Sequence, residues 1–374
     1  MLPHVTEREL LGAAKPALRI HDDAALNAEA APAMLDHELT PEHAFFVRNN
    51  GSLPPRADPA AWRLCVDGEV ERVLELSLPE LQAQFEIVSI RAVLECAGNG
   101  RAGFIIPTDG LQWSLGAVGC AEWTGVRMAD VLAAAGVRRN AMYVAHHSPD
   151  RATAGAAGPA LSRGVPIAKA LAPETLLAFG MNGEPLSFLH GSPLRVVAPG
   201  YPGSAWQKWL ERISVLDVEH DGMKMTGTDY RLPRSPVALG GSWAEIPFDV
   251  ITDMPIRAMI TSPAPGFVAP ANSALPVRGF AWGGHTPPAR VEISADGGAN
   301  WVEAFLDAEQ DGAPFAWRRF HAHMAPREPG SLELVARATD LRGRSQPLGS
   351  APWNPRGYCN NGVQRVRGSI ENGR

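Results

Sequence analysis

The sequence predicts an α+β protein in which a mixed domain of short helices and strands precedes an immunoglobulin-like β-sandwich. The 374 residues are enough for two domains, since a globular domain usually takes roughly 100–200 residues. Glycine and proline make up about one residue in five, which favours turns and short strands over long helices. We therefore predict an irregular lead-in over residues 1–42, a mixed domain over residues 43–245 and a β-sandwich over residues 246–374.

Turn and capping signals predict the first elements of the mixed domain. A strand is predicted in AWRLCVDGEV, and its Asp67-Gly68 turn predicts a hairpin because glycine supplies the positive φ. Ser77 lies three residues before Glu80, which is the spacing of a capping box at the start of a short helix. Gly136 follows the helical run MADVLAAA and is predicted to end it.

Cys96 is predicted to lie where the next strand ends. The β-branched run in EIVSIRAVLECAG stops at the small residues after Cys96, and Arg101 follows five positions later. A thiolate beside fixed positive charge has a lowered pKa and is a better metal ligand or nucleophile. The alternative is a buried cysteine that caps the strand as a small apolar residue. The remaining cysteines lie in apolar or crowded runs and are assigned to packing: Cys65, Cys120 and Cys359.

The glycine-rich segment after this cysteine has the G-x-G-x-x-G spacing of dinucleotide-binding loops. That loop must open a helix, whereas here Pro107 and an Asp109-Gly110 turn follow, and no acidic strand end comes about 20 residues later. We therefore exclude a Rossmann-type site. The sequence also lacks the H-E-x-x-H, P-loop and G-x-S-x-G motifs of metalloproteases, phosphate-loop enzymes and serine hydrolases.

Composition limits the partners and the compartment. The formal net charge is −6 and the basic residues form no stripe, which argues against a nucleic-acid partner. No stretch of about 18 consecutive apolar residues occurs, so we expect no membrane insertion. The N-terminus lacks the basic start, apolar run and cleavage site of a secretory signal, which predicts a cytoplasmic protein. The alternative is the processed form of a periplasmic protein.

Runs of strand length separated by Pro, Gly and Asp signals define the second domain. Asp296-Gly297-Gly298 lies between two alternating runs and predicts a hairpin. The regular spacing and the lack of a helical period predict an immunoglobulin-like sandwich. The alternative is a continuation of the mixed domain.

Several segments together resemble one family. ECAGNGR, which contains Cys96, resembles the molybdenum-binding segment of the sulfite oxidase family, where a cysteine thiolate ligates a metal carried by a pterin dithiolene. The resemblance spans about residues 45–360 and implies the sulfite oxidase fold, with a molybdopterin-binding domain followed by a dimerisation domain. The other matching segments, in the family's order, are FFVRNNG, LQWSLGAVGCAEWTG, HGSPLRVVAPGYPGSAWQKWL, the DY pair at residues 229–230 and WNPRG.

The resemblance implies roles for individual residues. Guanidinium groups suit a small oxyanion because they keep their charge near pH 7 and donate two hydrogen bonds at once. Asn50 stands where animal members have histidine, which implies a different hydrogen-bond donor and geometry at that pterin contact. The implied lining of the catalytic anion pocket is Arg48, Arg101, Trp113, Tyr230 and Arg356. The implied cofactor-binding residues are Phe46, Arg48, Asn50, Cys96, Asp150, His190, Arg195, Ser204 and Lys208, with Cys96 as the metal ligand.

These roles imply a molybdenum-dependent oxidation of sulfite to sulfate. The expected cofactor is molybdopterin with one molybdenum per chain, with no haem in this chain and electrons passed to an external acceptor such as a c-type cytochrome. The family's second domain implies a homodimer, and Arg356 from that domain completes the anion pocket. The alternatives are a related nitrate or sulfoxide reductase and, from another class, a cofactor-free immunoglobulin-like scaffold.

Overall fold

The computed structural model describes residues 11, 15–22, 25–153, 158–238, 241–309 and 312–372. Over these ranges the chain forms a mixed domain built on two five-stranded sheets, followed by a sandwich of a four-stranded and a five-stranded sheet. The predicted α+β architecture is therefore confirmed. Across the same ranges, no helix is long and apolar enough to cross a bilayer.

The lead-in is more regular than the sequence predicted. Arg19–Asp22 (β1) pairs in antiparallel register with Asn27–Glu29 (β2). Leu26, in the turn between them, is fully buried in an apolar cluster that includes Phe280 and Trp282 of the second domain. The expectation of an irregular segment was wrong here because this ordering comes from distant apolar partners, which local sequence patterns do not reveal.

Local signals explain the helices and the strand ends of the mixed domain. Ser77 caps the helix Leu78–Gln84 (α1) through the reciprocal hydrogen bonds with Glu80 that the sequence predicted. Gly136, at φ 74°, ends the helix Met128–Ala135 (α2), and the short helix Ile167–Ala170 (α3) follows. The strands of this domain are β3 (Leu64–Gly68), β4 (Leu74–Leu76), β5 (Ile87–Glu95), β6 (Val118–Arg127), β7 (Tyr143–His147), β8 (Gly164–Pro166), β9 (Leu176–Met181), β10 (Glu184–Pro185), β11 (Arg195–Val197) and β12 (Arg212–Leu216).

The two sheets of the mixed domain differ in their connections. One has the order β10-β9-β6-β5, with β11 also paired to β9. The other has the order β4-β3-β12-β7-β8, in which β3 and β12 run parallel. The predicted hairpin is confirmed, since β3 and β4 pair in antiparallel register. Its turn lies later than predicted, because Asp67 and Gly68 still belong to β3 and pair with β12. Cys96 is the first residue beyond β5, which is where the sequence placed it.

The second domain is the predicted β-sandwich. Its sheets have the orders β15-β17-β21-β20 and β16-β23-β22-β18-β19, and their apolar faces share one buried core. The turn at Gly297 connects β18 to β19 as a hairpin, as predicted. The strands from residue 231 onwards are β13 (Arg231–Pro233), β14 (Phe248–Val250), β15 (Arg257–Ser262), β16 (Phe267–Pro270), β17 (Leu275–Trp282), β18 (Pro288–Ser294), β19 (Val302–Glu303), β20 (Phe305–Leu306), β21 (Arg318–Met324), β22 (Gly330–Asp340) and β23 (Arg365–Glu371).

A buried ion pair joins the two domains directly behind Cys96. Nε of Arg257, on β15, lies 3.0 Å from Oε1 of Glu95, and both side chains are only 2% exposed. Trp282 and Asn99 donate further hydrogen bonds to the same carboxylate, at 2.8 and 2.9 Å. The contact between the domains therefore fixes the end of β5, from which the chain enters the candidate site.

Candidate active site

One cavity of about 660 Å³, including its open mouth, lies beyond the end of β5. Residues from the segments 46–50, 94–96 and 189–209 line it, together with single residues from three other loops. Ten of the residues that the sequence singled out lie in its wall: Phe46, Arg48, Asn50, Cys96, Asp150, His190, Arg195, Ser204, Lys208 and Tyr230.

Backbone hydrogen bonds hold Cys96 at the cavity wall. Its amide donates to the carbonyl of Ala117 at 2.9 Å, and its carbonyl accepts from the amide of Asn99 at 2.9 Å. The turn requires Gly100, which has φ 83° and whose Cβ, if it had one, would lie 2.6 Å from the carbonyl oxygen of Asn360. Gly100 therefore allows close packing against the second domain, and Cys96 as a residue is 7% exposed.

The cationic residues of the cavity are held by backbone carbonyls and aromatic rings. Arg195 donates to the carbonyls of His190 and Trp206, at 2.9 and 3.2 Å, and its guanidinium lies 4.8 Å from the ring of Trp123. Burial lowers the pKa of Arg195 to about 9, which leaves it charged at pH 7. Lys208 donates to the carbonyl of Leu189 at 2.9 Å.

Burial governs the protonation of the other groups. It holds the pKa of His190 well below the ordinary value, and the neighbouring cations Lys15, Arg195 and Lys208 lower it further. Burial raises the pKa of Asp150, and this effect exceeds the lowering caused by the hydrogen bond that Ser148 donates to its carboxylate. Burial also holds the pKa of Lys208 well below its ordinary value, an effect that an arriving anion opposes. Arg48, Arg195 and Lys208 outnumber the acidic residues in the wall, where Asp150 is the acidic residue among those described. The cavity favours an anion.

Several buried polar atoms of the wall lack partners within the described chain. They are Oγ of Ser204, Nε of Arg195 and Oε1 of Gln207. A buried polar atom without a partner costs roughly 1–3 kcal/mol, so native structures satisfy such atoms with protein, water or a ligand. The set contains a hydroxyl, a charged donor and an acceptor, which fits an anionic group that also carries ring donors and acceptors.

The amide oxygen of Asn50 is a shared acceptor at one side of the cavity. It accepts hydrogen bonds from Nη2 of Arg48 at 3.0 Å, from Nζ of Lys224 at 2.8 Å and from the hydroxyl of Tyr230 at 3.1 Å. Arg48 also donates to the amide oxygen of Asn27, at 3.3 Å. The wall therefore concentrates hydrogen-bond donors around a single neutral oxygen.

Three of the residues assigned to the anion pocket do not line this cavity. Arg101 donates to the carbonyls of Arg356 and Leu111, at 2.9 and 2.7 Å. Arg356 donates to the hydroxyl of Thr228 at 3.0 Å and forms an ion pair with Asp229 at 3.2 Å, next to Tyr230. The third, Trp113, is almost fully buried against His21, with ring centroids 4.7 Å apart.

Sequence reasoning missed four residues at the site. Asn49 and Gln207 line the cavity and lie beside matched positions, so their place in the matched segments could have indicated them. Lys224 reaches Asn50 from a loop with no motif. Arg163 is 1% exposed and stacks over the ring of Tyr230 at 5.1 Å, a contact that no local pattern indicates.

Family models cover most of the chain. The oxidoreductase molybdopterin binding domain matches residues 50–224, and the Mo-co oxidoreductase dimerisation domain matches residues 248–370. Both matches follow the division into a mixed domain and a β-sandwich.

Individual proteins match along almost the whole chain. Mitochondrial sulfite oxidase of Rattus norvegicus is 37% identical over 369 residues, which cover 94% of this chain and 65% of that protein. The chain therefore spans about two thirds of that relative's length. Sulfite oxidase of Arabidopsis thaliana is 30% identical over 94% of this chain and 93% of its own. The crystal structure of the sulfane dehydrogenase SoxCD from Paracoccus pantotrophus superposes with a TM-score of 0.78 at 26% identity, covering 97% of this chain and 90% of that one.

Proposed function

The chain belongs to the sulfite oxidase family of molybdopterin-binding oxidoreductases, and from this premise we propose that it oxidises sulfite to sulfate. One observation carries the proposal: Cys96 shares a cavity with the cations Arg48, Arg195 and Lys208 and with buried polar atoms that lack partners. A thiol ligand for a metal and a cationic wall for anions are the two features that this reaction requires.

We propose that the cavity holds molybdopterin, with one molybdenum per chain bound to the sulfur of Cys96. Ser204, Arg195 and Gln207 offer the pterin and its phosphate the polar atoms that have no partner in the described chain. The remaining proposed contacts come from Phe46, Asn50, Asp150, His190 and Lys208. When bound, the metal centre supplies the two-electron redox chemistry that sulfite oxidation needs.

The substrate anion is proposed to bind where Arg48 and Tyr230 line the cavity. Arg356 forms a partly exposed ion pair with Asp229, and such pairs stabilise a fold by at most about 1 kcal/mol, so exchanging Asp229 for sulfite costs little. Arg101 is proposed to position Arg356 through the hydrogen bond to its carbonyl. Trp113, whose carbonyl accepts a hydrogen bond from the amide of Ala102 at 3.0 Å, is proposed to support the pocket from outside its wall.

The partners, the domain limits and the compartment are proposed as well. A homodimer formed by residues 246–374 is supported by the match to a dimerisation domain. Oxidation of sulfite to sulfate releases two electrons, and we propose that they pass to an external acceptor such as a c-type cytochrome. We keep residue 245 as the proposed end of the mixed domain and the cytoplasm as the proposed compartment. The donor-rich cavity gives no support to a cofactor-free scaffold.

The test combines elemental analysis with an activity assay on the purified holoenzyme. We expect about one molybdenum per chain, and sulfite-dependent reduction of ferricyanide that Cys96→Ser abolishes. Cys65→Ser, a half-buried cysteine on β3 away from the cavity, is the matched control and is expected to retain both properties. Full sulfite turnover by Cys96→Ser would refute the proposal. Assaying nitrate and sulfoxide reduction with a reduced viologen dye separates the two related reductase activities.

A further inference from the structure

The loop that carries Lys224 and Tyr230 has an unusual backbone. Both residues adopt the left-handed conformation, with φ 65° and 52°, which costs a non-glycine residue about 1 kcal/mol or more each. Both side chains end at the same atom, the amide oxygen of Asn50. Backbone strain of this kind persists only where the surroundings enforce it, and here it directs two donors to one point of the cavity.

Arg163 is the residue that enforces this conformation. Its guanidinium donates to the carbonyl of Lys224 and lies 5.1 Å over the ring of Tyr230. Arg163 is almost fully buried and contacts both left-handed residues. The backbone of Lys224 and the ring of Tyr230 are therefore held in place before any ligand arrives.

The donors at Asn50 exceed what its oxygen can accept. A carbonyl oxygen has two lone pairs, yet Arg48, Lys224 and Tyr230 all donate to it. At least one donor is therefore incompletely bonded and available to another acceptor. An oxyanion, which carries several acceptor oxygens and a negative charge, satisfies this excess, whereas a neutral ligand does so less well.

The charge of Lys224 is also incompletely compensated. Among the described residues it forms no ion pair, and its ammonium donates a hydrogen bond to the neutral amide of Asn50. Burial lowers its pKa, while Tyr230, Asp229 and Asp150 raise it from a distance and Arg48 lowers it. A half-buried ammonium in this position gains more from an arriving anion than from its present partner.

We propose that Lys224 is a further anion-binding residue of the site, which Asn50 holds in place and which turns to the oxyanion when it enters beside Arg48 and Tyr230. This inference rests on the proposed sulfite-oxidising function for the identity of the anion. The positive charge of Lys224 would then help the site to bind sulfite in preference to neutral ligands of similar size, although the loop that carries Lys224 has no recognisable motif.

The test compares three substitutions in the holoenzyme. Lys224→Met removes the charge and keeps the length of the side chain, and Lys224→Gln removes the charge and keeps a donor. Both are expected to raise the sulfite KM and the Kd for sulfate, measured by calorimetry, roughly 10- to 100-fold, with kcat and molybdenum content changing far less. Lys224→Arg is expected to restore most of the affinity. Arg234→Gln, which removes one charge from an exposed pair with Asp249, is the control for net charge and is expected to change nothing.

An unchanged KM and sulfate Kd in both neutral variants would overturn the inference. So would a loss that Lys224→Arg leaves in full, because charge would then not be what binds. Sulfate binding is read independently of turnover, which separates this inference from the proposed function. If the wild type bound sulfate through Lys224 but did not oxidise sulfite, the function would be wrong and the anion site would stand.

Discussion

The ammonium nitrogen of Lys15 lies 3.0 Å from Nε2 of His190, in a buried contact between residues 175 positions apart in the chain. Lys15 also donates to the carbonyls of Phe45, at 3.0 Å, and Glu42. Burial lowers the pKa of Lys15 to about 8, so near pH 7 it is an ammonium that can only donate. Nε2 of His190 therefore accepts, and the imidazole proton lies on Nδ1. The lead-in thus sets the tautomer of a residue in the cavity wall.

Replacing Lys15 with methionine is the first test of this relationship. The substitution keeps the apolar stem but leaves two carbonyls and Nε2 of His190 without their donor, which we expect to cost about 1–3 kcal/mol of unfolding free energy. Urea unfolding of the purified protein measures this cost. We also expect the molybdenum content to fall, because both tautomers of His190 become available. A variant with wild-type stability and metal content would show that the contact has no such role.

The second prediction concerns the ion pair between Glu95 and Arg257. Removing one member of a fully buried pair leaves an uncompensated charge, which typically costs 3–5 kcal/mol. We therefore expect Arg257→Leu to lower the unfolding free energy by about that amount and to reduce metal retention, since Glu95 precedes Cys96 directly. Denaturant unfolding and elemental analysis measure the two effects. Arg234→Leu, in an exposed pair, is the comparison and should leave the unfolding midpoint where it was; equal midpoints for both variants would contradict the prediction.

Local signals predicted the elements that build the site, because each depends on residues close together in the chain. The capping box at Ser77, the left-handed Gly136 and the strand end before Cys96 are cases in which a few neighbouring residues fix the backbone. The family resemblance added the residues of the cavity wall, ten of which the structure brings together.

Contacts between distant segments could not be predicted in this way. Lys15 reaches His190, and Arg163 reaches Tyr230, through packing that leaves no period or motif in the sequence. The same applies to Arg101, whose assignment to the anion pocket came from the resemblance alone. Its hydrogen bond to the carbonyl of Arg356, 255 positions away, depends on how the two domains meet.

Arg356 gives a third prediction, which concerns substrate binding. It lies outside the cavity wall and contacts Thr228 and Asp229, so we expect it to contribute to anion binding and not to cofactor binding. We expect Arg356→Met to raise the sulfite KM by roughly tenfold or more while the molybdenum content stays near that of the wild type. Steady-state kinetics with ferricyanide measure the effect, and Arg342→Met, on an exposed turn of the second domain, is the control. An unchanged KM would exclude Arg356 from the anion site.

The last prediction concerns acid stability and arises from His146. This residue is fully buried, both of its ring nitrogens lack partners in the described part of the chain, and burial, with the nearby His147, His220 and Arg163, lowers its pKa to about 3. The unfolded chain takes up this proton near pH 6.5 and the folded chain does not, so the stability is complete above pH 6.5 and falls as the pH drops towards 3. The loss of unfolding free energy is about 1.4 kcal/mol per pH unit from His146 alone.

We expect urea unfolding at pH 7.5, 6.0 and 5.0 to show this slope. His146→Leu is expected to reduce the slope by about one proton, without loss of stability at pH 7.5. His323→Leu, at an exposed position on β21, should keep the wild-type slope, and an unaltered slope in His146→Leu would contradict the argument.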